Sequence, residues 1–234
     1  MIAKARGSTV EYTRRRIIND IEAGVFNASP RLTTENLARR YKVSRTPVRE
    51  ALSQLTREGL VKAVANAGYQ LNRLSGEELL EIYELRERLE GLAAAKLAAA
   101  DPTPELIAEM RELCSARRNA QTFDQQFAAD HDFHQLICDN CGAPTLQSVI
   151  RNYLVLSKSF AGTPGIVIKN NGEQAPHSIN DEHDEIVDAV AAGNAKLAER
   201  LLRRHIANAA NAIRKSLKAA RNSAKKQKAK EKSS

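Results

Sequence analysis

Tyr41-Lys42-Val43-Ser44-Arg45-Thr46-Pro47-Val48-Arg49-Glu50-Ala51-Leu52 (residues 41–52) is the most informative stretch of the chain. It opens a helix. Ser44 suits the N-cap, and Pro47 falls in the first turn, where a missing N–H is harmless. Val48, Leu52 and Leu55 recur at helical spacing and form a stripe to bury, and Gly59 ends the run. Arg45 and Arg49 are four apart and share the other face. Ser44 and Thr46 add hydroxyls at the helix end whose N–H groups and dipole favour phosphate. A guanidinium matches the two acceptors on a guanine edge, so the helix suits the major groove of DNA.

The neighbouring residues complete a unit around this helix. Upstream, residues 9–24 read as a helix with Val10, Ile17, Ile18 and Ile21 at helical spacing, ended by Gly24. A turn from Asn27 to Arg31 contains Pro30. A short helix follows, with Thr33 or Thr34 as N-cap and Leu37, Ala38 and Tyr41 inward. Downstream the period changes. Residues 60–64 and 69–71 read as two strands with Asn66-Ala67-Gly68 between them. Two crossing helices backed by a hairpin make a winged helix-turn-helix over residues 1–74. Gly68 at the tip is placed to approach the duplex.

Charge separates this head from the rest. Residues 1–74 hold fourteen Lys/Arg against six Asp/Glu, residues 75–213 thirteen against twenty-one, and residues 214–234 nine against one. A basic head on an acidic body implies that the head meets a polyanion and the body does not. Hydrophobic residues make up 42% of the 234, which is enough for a real core. No apolar run approaches ~20 residues, so no membrane span is expected. The N-terminus lacks a signal-peptide pattern. Three cysteines, an odd number, fit a reducing compartment, and the expected location is the cytoplasm. The lone Cys138-x-x-Cys141 pair has no second pair to complete a zinc site and is discounted.

After a linker at Leu74-Ser75-Gly76, the sequence predicts an all-helical body over residues 75–220. Helices fall near 76–99, 103–120, 123–140, 143–160, 177–192 and 194–220, with a loop at 162–175. Residues 221–234 read as a basic disordered tail, serving either sequence-independent phosphate contact or solubility. Asp130 and His134 are four apart on one helix, His183 lies in another and His205 in the last. A helical bundle can bring these faces together. One carboxylate and three imidazoles suit Zn, Ni, Mn or Fe as divalent ions. Scattered histidines are more often ordinary core or surface residues, and His131 and His177 belong to that reading.

The run Ser44 to Leu52, SRTPVREAL, resembles the recognition helix of the GntR family of bacterial regulators. Arg31-Leu32, Leu37-Ala38, Leu55, Glu58-Gly59-Leu60-Val61 and Gly68 extend the likeness over roughly residues 10–74. Thr34 departs from it where many members carry Glu. The resemblance implies DNA contact by Arg45, Thr46 and Arg49, with Ser44 and Gly68 behind them. Residues 76–213 resemble the FCD ligand-binding domain of the FadR branch, an antiparallel helical bundle. The likeness runs through Tyr83-Glu84-Leu85-Arg86, Leu89-Glu90, Glu182-His183, Ile186 and Ala189. Many such domains hold a divalent metal with an Asp-x-x-x-His pair and two later histidines, which here are Asp130, His134, His183 and His205.

By the same resemblance a small carboxylate completes the metal shell, and Arg86 would bind its other end. The alternative for Arg86 is an ion pair with Glu90. Relatives that sense fatty acyl-CoA generally lack the metal ligands, which favours a small organic acid. The expectation is a ligand-responsive regulator, with repression the favoured sign, that binds a palindromic operator as a homodimer. A metalloenzyme is the rival class, but no general base or nucleophile motif accompanies the cluster. An architectural DNA binder that senses nothing is the third.

Overall fold

The computed structural model describes residues 2–26, 31–65, 67–160 and 179–231. The expected turn residues 27–30 and 66, the loop 162–175 and His177 lie outside the described residues. The chain divides into two compact units, residues 1–74 with 155–162, and residues 75–154 with 163–234.

In the first unit, α1 (Ile2–Glu22), α2 (Thr34–Tyr41) and α3 (Arg45–Arg57) accompany a small antiparallel sheet. The strands are β1 (Arg31–Leu32), β2 (Val61–Val64) and β3 (Gly68–Leu71), in the order β1-β3-β2. Ile17, Ile21, Leu37, Tyr41, Val48, Leu52 and Leu55 all bury in its core, and Val48, Leu52 and Leu55 are completely covered. α1 begins at Ile2 rather than residue 9, because Ala3, Lys4, Ala5 and Arg6 favour helix without an apolar period to read. It is tied to α3 by a forked ion pair between Arg14 and Glu58 at 2.9 Å. Asp20 accepts from both Arg40 Nε at 2.6 Å and the Tyr41 hydroxyl at 2.8 Å.

β1 adds a strand beyond the expected two. Two residues are too few to show a strand period. Leu32 pairs with Tyr69, and the Arg31 Nε–H donates to the Ala67 carbonyl at 2.9 Å, so the first strand steadies the wing from the side. Gly68 sits at φ +85°, and a Cβ there would lie 3.0 Å from the Leu32 carbonyl oxygen. The fold therefore demands glycine at this position whatever the residue does toward DNA.

The second unit is helical. Its elements are α4 (Gly76–Ala99), α5 (Pro104–Asn119), α6 (Phe123–Asn140), α7 (Pro144–Phe160) as far as Leu154, α8 (Ile179–Ala191) and α9 (Ala195–Glu231). Reciprocal capping boxes start α4 (Ser75 with Glu78) and α6 (Thr122 with Gln125), satisfying N–H groups that would otherwise be orphaned. α4 and α9 pack along their lengths, with Gly91 set so closely against Arg203 that a Cβ would meet its Cγ at 2.5 Å. α6 packs on α4 and α5, and α8 on α4, α5 and α9. Leu79, Leu97, Phe133, Ile137, Ile186, Val190, Leu202 and Ile206 fill the space between them.

Residues 221–231 correct the expectation of a disordered tail. α9 continues through them to Glu231. Lys, Ala, Arg and Gln are good helix formers, and extending a helix already anchored by Leu202 and Ile206 needs no new nucleus. Cys114, Cys138 and Cys141 are free thiols and all buried. Burial, helped by Asp139, pushes the Cys138 thiol up to about 12, which leaves it inert.

Candidate metal centre and DNA-reading surface

Four side chains meet inside the second unit. α6 supplies Asp130 and His134 one turn apart, α8 supplies His183 and α9 supplies His205. Their donor atoms all lie within 4.8 Å of one another. His205 Nε2 stands 3.3 Å from His134 Nε2 and 3.2 Å from His183 Nε2. Asp130 approaches His183 Nε2 with Oδ1 at 3.4 Å and His134 Nε2 with Oδ2 at 3.9 Å. Donors each ~2.1 Å from a common ion lie roughly 3–3.4 Å apart, so the spacing fits a bound cation. The three imidazoles are buried, and Asp130 is partly open.

The tautomers make the stronger case. His134 Nδ1 is 2.6 Å from Glu90 Oε2, and His205 Nδ1 is 2.8 Å from Glu182 Oε2. A carboxylate only accepts, so each ring donates its Nδ1 proton, and in a neutral ring Nε2 then carries the lone pair. Those bare nitrogens point at one another. A cation held between them would give each of these two histidines the carboxylate–imidazole–metal geometry common in metal proteins. Phe133 stacks on His183 with ring centroids 4.3 Å apart. His183 Nδ1 is buried and makes no hydrogen bond among the described residues.

The electrostatics favour the binding forms of His183, His134 and Asp130. Burial, together with the neighbouring His205, drives His183 well below the ordinary histidine range. Burial also lowers His134, against the pull of Glu90. Burial alone would raise Asp130, but His183, His134, His205 and Arg117 outweigh it and hold the carboxyl well below its usual range. Neutral imidazoles and an ionised carboxylate are what a divalent ion requires.

Three surrounding residues complete the site without a sequence signal that marks them as part of it. Glu90 and Glu182 orient two of the histidines. Buried Arg117 donates from Nε to Asp130 Oδ1 at 3.2 Å and from Nη1 to Asn180 Oδ1 at 2.6 Å. Each comes from a helix other than that of its partner, so no spacing rule exposes it. Arg86 is buried beside the cluster, with Nε 2.5 Å from Glu90 Oε1 and its guanidinium over the Tyr83 ring. The ion-pair alternative for Arg86 is thus what the structure contains.

In the first unit, Arg45 and Arg49 are exposed on α3 and Thr46 is half-buried. Arg45 reaches Glu35 at 3.2 Å, an open pair that competes weakly with a phosphate or base. Ser44 occupies the N-cap position but makes no side-chain capping bond, unlike Thr33 on α2, which accepts from the Asn36 N–H. The α3 N-terminus therefore keeps donors for an anion.

The residues around this surface match the family model for bacterial regulatory proteins, gntR family, over 9–70, and the FCD domain model matches over 81–208. The chain belongs to the GntR family. It is similar to the HTH-type transcriptional repressor GlaR of Escherichia coli, 29% identical over 82% of this chain and 90% of GlaR. The Uxu operon regulator of Haemophilus influenzae is 26% identical over 84% of this chain and 79% of its own. Among solved structures, E. coli McbR/YncC superposes with a TM-score of 0.72 at 21% identity, covering 89% of this chain and 98% of that one. A putative GntR regulator from Rhodococcus gives 0.68 at 22% identity, over 88% and 97%. At such identities the two structures speak for the fold alone. As a GntR-family member with an FCD effector-binding domain, this chain is a DNA-binding transcription regulator and not an enzyme. No helix among the described residues is long and apolar enough to cross a membrane.

Proposed function

We propose that this regulator is a cytoplasmic homodimeric repressor. It would read a palindromic operator through Arg45, Thr46 and Arg49, and respond to a small organic acid at a divalent metal held by Asp130, His134, His183 and His205. The observation that carries the metal reading is the pair of bare Nε2 atoms of His134 and His205, 3.3 Å apart, each fixed by a glutamate on its far side. Zn, Ni and Mn are the candidate ions. A metal here supplies an open coordination position for an anion, and the chain's own residues do the rest.

Charge supports a single carboxylate as the effector. Asp130, Glu90 and Glu182 surround the imidazoles with three carboxylates, against the two guanidiniums of Arg86 and Arg117. One negative charge remains. A divalent ion converts it to one positive charge, and one effector carboxylate closes the balance. Uncompensated charge in a buried site is costly, so a monoanion is preferred over a dianion. Arg86 keeps N–H groups beyond the Nε given to Glu90, and its planar fork suits a carboxylate.

Operator symmetry supports a dimer, because a palindrome is read by two copies of α3. Leu85 and Leu92, two turns apart on α4, are both more than 40% exposed and offer an apolar face for a second copy. The likeness to GlaR, a transcriptional repressor, supports repression as the sign. The effector would act by favouring one arrangement of the two winged helices.

The test is a thermal-shift screen of the metal-loaded protein with small monocarboxylic and dicarboxylic acids, followed by DNA binding with the best acid. A shift for a monocarboxylate that also weakens DNA binding is expected. No shift with any acid, and unchanged DNA affinity, would defeat the sensing half.

A further inference from the structure

We propose that Glu90 is a positioning residue that serves the metal ligand His134 with one oxygen and Arg86 with the other. Glu90 is 1% exposed on α4. Its Oε2 lies 2.6 Å from His134 Nδ1 and its Oε1 lies 2.5 Å from Arg86 Nε. Both partners are themselves buried, at 2% and 6% exposure. A lone buried carboxylate is costly, and this one is retained between two donors from different helices, α6 and its own α4. The inference rests on the reading of the His134 cluster as a metal centre.

The donor inventory gives the inference its edge. Arg86 is always protonated and can only donate. His134 can donate or accept at Nδ1, depending on its tautomer. A carboxylate accepts from both at once. A glutamine of the same shape has one accepting oxygen and one donating nitrogen, so it can satisfy only one of the two donors as they stand. The oxygen stays with Arg86, because the charge-assisted bond is the stronger and the guanidinium cannot become an acceptor. The amide N–H then faces His134 Nδ1 and forces it to accept. The ring proton moves to Nε2, the atom that faces His205, and His134 can no longer ligate through it. Glu90 thus decides which nitrogen of His134 is bare, while also fixing the guanidinium that an effector carboxylate would meet.

The experiment uses the full chain labelled with 15N-histidine, freed of metal with a chelator, and long-range 1H–15N correlation spectra. A His134→Gln spectrum assigns the ring. Wild-type His134 is expected to carry its proton on Nδ1. In Glu90→Gln the proton is expected on Nε2, and Zn2+ affinity measured by competition with a chelating dye is expected to fall about 10–100-fold. Arg86→Gln, which leaves Glu90 to His134 alone, should keep the Nδ1 proton. An Nε2-protonated His134 in wild type overturns the proposal, whether or not Glu90→Gln folds. So does a Glu90→Gln protein that keeps both the Nδ1 proton and the wild-type affinity. Failure of wild type to bind Zn2+, Ni2+ or Mn2+ would instead strike the metal reading, and the metal-free spectra would still decide the role of Glu90.

Discussion

His134 and His205 present their Nε2 atoms to each other at 3.3 Å, while the Nδ1 of each ring is hydrogen-bonded to a glutamate from another helix. Nothing in ordinary core packing favours two facing lone pairs. A shared cation would use both nitrogens, and His183 would then close the set from α8. His183→Ala removes one nitrogen and the ring stacked on Phe133. We expect the purified variant to lose its ion and to melt at a lower temperature than wild type. Equal metal occupancy in variant and wild type would contradict the assignment.

The same burial makes the metal-free protein acid-sensitive. His134 and His183 are held below the ordinary histidine value of 6.5 in the folded state. Above that value the ring is neutral folded or unfolded, and pH has no leverage. As pH falls through 6.5 the unfolded chain takes up protons that the folded chain refuses, so stability drops. Glu90, lowered to about 2 as Arg86 and His134 outweigh its burial, adds loss in the same direction below the usual carboxylate range. Melting temperature of chelated protein should decline from pH 7.5 to 5.5. A flat or rising profile would mean that these imidazoles are not buried as neutral rings.

The winged helix is legible in the sequence because its signals are local. Val48, Leu52 and Leu55 announce the buried face of α3, and the nonapeptide from Ser44 to Leu52 carries both the cap geometry and the arginines. Asp130 and His134 are legible for the same reason, being one turn apart. His183 and His205 stand out as candidates on two later helices and the resemblance strengthens them, but only tertiary packing brings them to the pair. Glu90, Glu182 and Arg117 stay hidden because their partners lie 44, 23 and 13 residues away. β1 is too short to show a period. The basic end of α9 has the polar composition of a disordered tail and no apolar period, yet the same residues propagate an existing helix.

On α3, the proposed reading role and the fold can be tested separately. Arg49 is exposed, so Arg49→Ala should leave the melting temperature unchanged and abolish operator-specific binding in a gel-shift or anisotropy assay. Unchanged operator affinity would remove α3 from the reading role. Gly68→Ala should behave differently. Its φ of +85° and the 3.0 Å approach to the Leu32 carbonyl penalise any Cβ. A stability loss of about 1 kcal/mol or more is expected, whether or not DNA is present. A Gly68→Ala protein with full stability and no DNA binding would instead give the glycine a direct role at the duplex.

The helical end of α9 offers a separate test of phosphate binding. Residues 221–234 contain six Lys/Arg and one Glu. Deleting them should weaken binding to random-sequence duplex and flatten its dependence on salt. The log–log slope should fall by about 0.9 for each phosphate that the segment neutralises. The operator preference over random DNA should persist. An unchanged slope would leave the segment a solubilising extension.

The most direct measurement is elemental analysis of the purified full chain, repeated after stripping with a chelator and reloading with Zn2+, Ni2+ or Mn2+. The account predicts about one divalent ion per chain, removed by stripping and regained on reloading. No bound metal before or after reloading would contradict it, and would leave the DNA-reading half standing without its sensor.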